Sequence, residues 1–224
     1  MRIIDPQAAT LDAMAAEPAV PRARLQLDWI RQRFVDPPVW QPELTDEHRY
    51  AVSERPTRAA SVLIILVVRE SGLNLLLTRR TAHLAHHPGQ ISFPGGAVEP
   101  EDQDAVQTAL RESFEEIGLD PARVEVLGEL PLYHTVTGYQ VTPIVAAVRD
   151  LGTLTKDDNE VDEIFEVPLE FLMNGNHHQI RSMPIRGAEQ PPIRRSFYAM
   201  PYRDYFIWGA TAGMLRNLFH FLRA

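Results

Sequence analysis

The stretch Arg111-Glu112-Ser113-Phe114-Glu115-Glu116 puts three carboxylates and a guanidinium within two turns of any helix that carries it. At 3.6 residues per turn, Glu112, Glu115 and Glu116 share an arc of about 100°. Like charges at these spacings repel by a few tenths of a kcal/mol per pair. They also lie in the half of the helix where the dipole is already negative. Anions gathered in so poor a place fit a site that holds a cation. An all-oxygen donor set selects a hard ion such as Mg2+ or Mn2+. The plainer alternative is a solvated acidic face, with Arg111 pairing to Glu115 one turn on.

A helix is expected here because Val106, Leu110, Phe114 and Ile117 recur at three- and four-residue steps, which predicts one apolar face. Asp102 or Asp104 can cap its start, and Gly118 stands where a left-handed stop is expected. Asp120-Pro121 prevents continuation. Immediately upstream, Gly95-Gly96 follows Phe93-Pro94 and lets the backbone bend close to a metal or a phosphate.

The approach to those glycines is cationic. Leu76-Leu77-Thr78-Arg79-Arg80-Thr81 leads through His83, His86, His87 and Gly89-Gln90 to Phe93. Arginines offer forked donors to phosphate, and histidines add partial positive charge near neutrality. A polyphosphate can lie with its bridge at the metal and other charges against Arg79 or Arg80. The alternative is a pair of solvated arginines at a strand end. His83 and His87 have the spacing of two zinc ligands, but no third ligand is evident and Pro88-Gly89 interrupts a helix.

The segment from Gly95 to Leu119 resembles the Nudix box: glycine, an acidic loop, then Arg-Glu-apolar-any-Glu-Glu-any-Gly-apolar. Arg111 to Leu119 matches residue by residue, except that Ser113 stands at an apolar position. The loop is one residue longer than usual, and its acidic position falls on Gln103, so Asp102 or Glu101 must supply that carboxylate. The upstream segment is similar to the signature of the coenzyme A pyrophosphatase branch. Leu76, Leu77, Thr78, Arg80, Gly89, Phe93, Pro94, Gly95 and Gly96 match; Thr81 replaces Ser or Ala, and Ala85 replaces a second arginine. Gly138 to Pro143 and Trp208 to Gly213 also resemble that branch.

The resemblance implies an α+β fold, a Nudix-like α/β/α sandwich with a mixed β-sheet. It implies metal-dependent hydrolysis of the diphosphate bond of coenzyme A or acyl-CoA, giving adenosine 3′,5′-bisphosphate and (acyl-)phosphopantetheine. The implied cofactor is Mg2+ or Mn2+. Metal ligands would be Glu112, Glu115 and Glu116, with Arg111 orienting Glu115. Substrate would be met by Thr78, Arg79, Arg80, Gly89, Phe93, Gly95 and Gly96. The general base would be a box glutamate or one from a later loop, where Glu160 and Glu163 are the candidates. Other nucleoside diphosphate derivatives, such as an ADP-sugar or a dinucleotide, remain an alternative substrate class, and a non-hydrolysing nucleotide-binding protein is a further one.

The bulk numbers agree with an enzyme of one domain. The chain has 224 residues, 45% of them hydrophobic, and no cysteine, which excludes disulfides and thiolate chemistry. A net charge of −8 argues against a nucleic-acid surface. No signal peptide is evident, and the apolar run Ala59 to Val68 is too short to span a bilayer, so no membrane partner and a cytoplasmic location are expected.

The chain divides into an N-terminal arm, helix and linker over 1–58 and a Nudix hydrolase domain with a C-terminal helix over 59–224. Met1 to Pro21 reads as a loose arm and Arg22 to Phe34 as a helix. Strands are expected at Ala60 to Val68, Leu73 to Thr78, Ile91 to Phe93, Val124 to Leu132 and Gln140 to Val148. Weaker ones fall at Ile164 to Val167, Gln179 to Met183 and Ser196 to Met200. Tyr205 to Leu222 reads as a closing helix. This helix and that at Arg22 to Phe34 can either cover the core or build a homodimer. His177-His178 reads as an exposed pair in a turn.

Overall fold

The run Ala-Ser-Val-Leu-Ile-Ile-Leu-Val-Val at residues 60–68 has no polar face, so it can rest only where both sides of a strand are covered. A computed structural model of the chain, which describes residues 5–43, 57–82, 89–184 and 194–224, places this run at the centre of a sheet. In chain order the strands are β1 (Thr10–Met14), β2 (Arg58–Arg69), β3 (Gly72–Arg80), β4 (Ile91–Ser92), β5 (Gly95–Ala97) and β6 (Val124–Glu129). They continue as β7 (Tyr133–His134), β8 (Tyr139–Val148), β9 (Val161–Pro168), β10 (Gln179–Pro184), β11 (Arg194–Tyr202) and β12 (Tyr205–Trp208). The helices are α1 (Leu27–Val35), α2 (Ala105–Ile117), α3 (Leu169–Leu172) and α4 (Gly209–Arg223).

The main sheet runs β4-β3-β2-β8-β6, with β5 also on β2, β7 on β8 and β9 on β3. β2 and β8 are parallel and the other pairs antiparallel, so the sheet is mixed. Leu63, Ile65 and Val67 of β2 pack with Ala109 and Ile117 of α2 on one face. Ile64 and Leu66 join the cluster of Leu215, Leu218 and Phe219 of α4 with Leu27 and Ile30 of α1 on the other. This is the expected α/β/α sandwich with a mixed sheet. Each fully buried aliphatic side chain contributes roughly 1.5–3 kcal/mol to burial, so the alternation along β2 binds both helical layers to one strand. α1 and α4 therefore cover the core of their own chain.

A second, antiparallel sheet runs β1-β10-β11-β12. Its edge strand β1 comes from the stretch expected to be a loose arm: short alternating residues there find hydrogen-bond partners on β10 that composition alone does not reveal. The closing helix is also shorter than expected. Tyr205-Phe206-Ile207-Trp208 pairs with β11 as a strand, aromatic and β-branched residues preferring the sheet. Gly209, at φ 62°, then turns the chain into α4. The expected helix at Arg22 begins instead as a 3-10 turn, Arg22–Leu25, before α1.

The N-terminal part is fastened by charge as well as by packing. Arg216 of α4 is buried and reaches Glu17 at 2.6 Å, Glu43 at 2.8 Å and His178 Nδ1 at 3.0 Å. Burial would raise the Glu43 carboxyl, but hydrogen bonds from His220 and Tyr198, with Arg216, hold it down at about 2. His178, expected on the surface, is fully buried; burial pushes its imidazole down to about 4. Arg24 and Arg33 donate to the Leu222 and Phe221 carbonyls, which otherwise end α4 without partners.

Candidate active site

β5 brings the glycine pair against β2, with Gly95 opposite Val62 and Gly96 opposite Ser61. Gly95 has φ 151°, and a Cβ there would lie 2.4 Å from the Ser61 carbonyl oxygen. Gly96 carries α2 instead: a Cβ on it would lie 2.4 Å from Glu112 Cδ. The bend is thus a floor on which a carboxylate rests.

α2 is set in rotation by that floor. Asp104 caps it by accepting from the Gln107 N–H at 2.8 Å, and Gly118 closes it at φ 69°. Of the expected apolar stripe, Ile117 is buried and Val106 and Leu110 pack against the core, but Phe114 departs from it. Thr108, Ala109, Ser113, Glu116 and Ile117 face inward, while Phe114 is 56% exposed. Burying Phe114 in their place would gain roughly 2 kcal/mol, but a turn of about 100° would carry Glu112 and Glu116 off the glycines. Ser113 fits its inward position because its hydroxyl donates to the Ala109 carbonyl at 2.7 Å.

Glu116 is 4% exposed and accepts from the Gly95 N–H at 3.3 Å. Burial pushes its carboxyl up to about 8; Arg80 opposes the rise, and Glu160 and Glu112 add to it. Glu112 is mostly buried and also raised, first by burial, with Arg111 pulling the other way. Arg80 lies between Glu116 and Glu160, its two terminal nitrogens each 3.5 Å from one carboxylate.

Arg111 gathers the acidic loop onto the helix. Its Nε and Nη2 donate to both oxygens of Asp102 at 3.0 and 2.9 Å, and Nη2 also to the Ala97 carbonyl at 3.1 Å. Its Nη1 reaches Glu112 at 3.0 Å and Glu115 at 3.1 Å. Of the two loop acids, Asp102 therefore meets the arginine. Its side chain also accepts from the Thr108 hydroxyl and the Glu99 N–H, and these contacts, Arg111 foremost, hold its carboxyl far below the usual range. Glu115 sits at the rim, 56% exposed.

The other expected residues fall in two groups. Arg79 is paired with Glu163 at 2.5 Å, and the Tyr205 hydroxyl donates to the same carboxylate at 2.7 Å. Tyr205 stacks on Phe165 at 3.7 Å and has Arg79 5.3 Å above its ring. Thr78 and Phe93 are buried; Thr78 bonds Ser92 across β3 and β4, so both serve the sheet. Gly89, at φ 68°, turns the chain back, its N–H donating to the Arg80 carbonyl at 3.1 Å. Ala85 and the histidines at 83, 86 and 87 lie outside the described residues. Sequence reasoning missed Tyr205, for which there was no signal.

The donor set fits a hard divalent cation: carboxylates on one side of the glycine bend, repelling one another, with no sulfur among them. Among the described residues no three His, Asp or Glu side chains come together closely enough to hold a metal ion by themselves. Mg2+ characteristically takes one or two carboxylates and completes its shell with water and substrate phosphate, so the open set remains compatible.

Residues 57–185 match the family model of the NUDIX domain. The chain is 42% identical over 162 residues to an uncharacterized Nudix hydrolase, NudL, of Escherichia coli (strain K12 / DH10B), covering 72% of this chain and 81% of that one. It is 40% identical over 161 residues to the protein of the same name in Enterobacter sp. (strain 638), again over 72% and 81%. Among solved structures, the Nudix hydrolase RenU of M. smegmatis is similar with TM-score 0.44 at 21% identity, over 52% of this chain and 73% of that one. A family model spanning more than half of the sequence, with relatives this close over nearly three quarters of it, shows that the chain belongs to the Nudix family and is a pyrophosphohydrolase.

Proposed function

We propose that the protein hydrolyses the diphosphate of coenzyme A or acyl-CoA with Mg2+ or Mn2+, releasing adenosine 3′,5′-bisphosphate and (acyl-)phosphopantetheine. Nudix hydrolases work with divalent metal ions. The observation that carries the reading is the seating of Glu112 on Gly96 and of Glu116 on the Gly95 N–H, with arginines on either side. Support for the substrate is the likeness of Leu76 to Gly96 to the coenzyme A pyrophosphatase signature.

In this reading Glu112 and Glu116 hold the metal, and Glu115 is a third carboxylate at the rim. The metal supplies charge neutralisation and a more acidic water. Asp102 fixes Arg111, which aims Glu112 and Glu115. Arg80 is in place to meet a phosphate oxygen. Glu160, beside Glu116 and Arg80, is better placed than Glu163 to take the proton of the attacking water, because Arg79 and Tyr205 occupy both Glu163 oxygens. The water oxygen bonds to one phosphorus, the bridging P–O bond breaks, and the proton passes to the base.

Ala85, where a second arginine is usual, favours a second reading: a nucleoside diphosphate derivative such as an ADP-sugar or a dinucleotide. The deciding experiment incubates the protein with Mg2+ or Mn2+ and a panel of CoA, acyl-CoA, ADP-ribose and NADH, and identifies products by mass. Products of CoA cleavage are expected from the wild type and none from Glu116→Gln, with both proteins equally folded by circular dichroism. Near-normal turnover in Glu116→Gln refutes the metal assignment. Cleavage confined to ADP-ribose or NADH refutes the substrate.

A further inference from the structure

Among the described residues three arginines border the carboxylates, and they are held unequally. Arg111 is locked on Asp102 by a two-pronged pair, and Arg79 by Glu163 over the Tyr205 ring. Arg80 reaches Glu116 Oε1 and Glu160 Oε2 at 3.5 Å each, beyond the length of a good hydrogen bond. It is therefore attracted to both acids and tied to neither. The other oxygen of Glu116 is taken by the Gly95 N–H, so Oε1 is the atom that faces Arg80. A cation bound to Glu116 needs the same oxygen and carries the same sign of charge.

We infer that Arg80 is a counter-ion that competes with the divalent cation for Glu116, and that a substrate phosphate draws it away, so that metal and diphosphate bind cooperatively. The inference rests on the metal reading of Glu116 proposed above. Even with the full screening of water, a +1 charge about 5 Å from a divalent ion weakens its binding by about tenfold, and burial of Glu116 can only enlarge that effect. A phosphate that pairs with the guanidinium removes this penalty. By linkage the metal then raises substrate affinity by the factor by which substrate raises metal affinity.

The test is the dissociation constant of Mn2+ alone, measured by electron paramagnetic resonance under argon from pH 7 to 9 and compared at its alkaline plateau, where protons no longer compete. Arg80→Gln and Arg80→Met are expected to bind Mn2+ about tenfold more tightly than wild type. Arg79→Gln, which removes the same charge one residue away, is expected to leave the constant unchanged. In turnover, the apparent Mn2+ constant of the wild type falls as CoA rises, and Arg80→Gln abolishes that dependence. Unchanged or weaker Mn2+ binding in folded Arg80 variants overturns the inference, as does equal tightening in Arg79→Gln. Wild-type Mn2+ binding in Glu116→Gln overturns it by removing the metal reading. Lack of CoA cleavage alone does not touch the binding measurement, so failure of the substrate reading is seen separately.

Discussion

The two glycines of the bend are expected to fail in different ways. In Gly96→Ala the new methyl lies 2.4 Å from Glu112 Cδ and 2.5 Å from both carboxylate oxygens. Carbon atoms rest about 3.5 Å apart, so the carboxylate must retreat by about 1 Å. It is the end of a flexible side chain, and the backbone need not move. The fold should survive, with Tm within about 3 °C of wild type. A reacting group displaced by 1 Å loses about 100-fold in rate, or ~2.7 kcal/mol of transition-state stabilisation.

In Gly95→Ala the methyl meets the Ser61 carbonyl oxygen at 2.4 Å and Val62 Cα at 2.6 Å, on a backbone at φ 151°. Those are main-chain atoms of the central strand. Overpacking there costs about 3 kcal/mol or more, a fall of ~10 °C in Tm. The assay is kcat/KM with saturating Mg2+, beside thermal denaturation of each variant. Gly96→Ala with wild-type kcat/KM, or with the larger loss of stability, refutes the reasoning that this glycine exists to seat Glu112.

The two later glutamates should separate in kinetics: Glu160→Gln is expected to lower kcat by about 100-fold, and Glu163→Gln to leave kcat within about threefold. The reverse order would reassign the base. Stability should fall on the acid side through His178. Its neutral ring donates from Nε2 to the Leu172 carbonyl and accepts from Arg216 at Nδ1. Its folded pKa of about 4 lies below an unfolded value of about 6.5. The contribution is therefore complete above pH 6.5 and lost as pH drops toward 4, about 3 kcal/mol in all. Urea midpoints from pH 7 to 4 should decline less steeply in His178→Gln; parallel slopes would show that this ring does not titrate on unfolding.

Where one residue's identity dictated one environment, the sequence was easy to read. The unbroken apolar run of β2 required cover on both faces, and Gly118 marked the end of α2 to the residue. The carboxylates on α2 and three of its four core-facing apolar residues were found, but not how far the helix is turned. Periodicity puts Phe114 inside, whereas Glu112 and Glu116 are held by glycines that only tertiary structure brings near. Glu160 and Glu163 were equal candidates by spacing. A tyrosine from β12 and an arginine from β3 distinguish them, and neither is close in sequence. His178 and β1 were missed for the same reason: their partners, Arg216 and β10, lie far along the chain.

The pairing of β5 with β2 has a further consequence. A synthetic peptide of residues 95–118 would contain every acid of the box and both glycines, yet nothing would press Gly95 into its unusual backbone angle, because Ser61 and Val62 would be missing. The motif is thus one half of a mould whose other half is an otherwise featureless greasy strand. Anyone grafting it onto a new scaffold must import that strand as well.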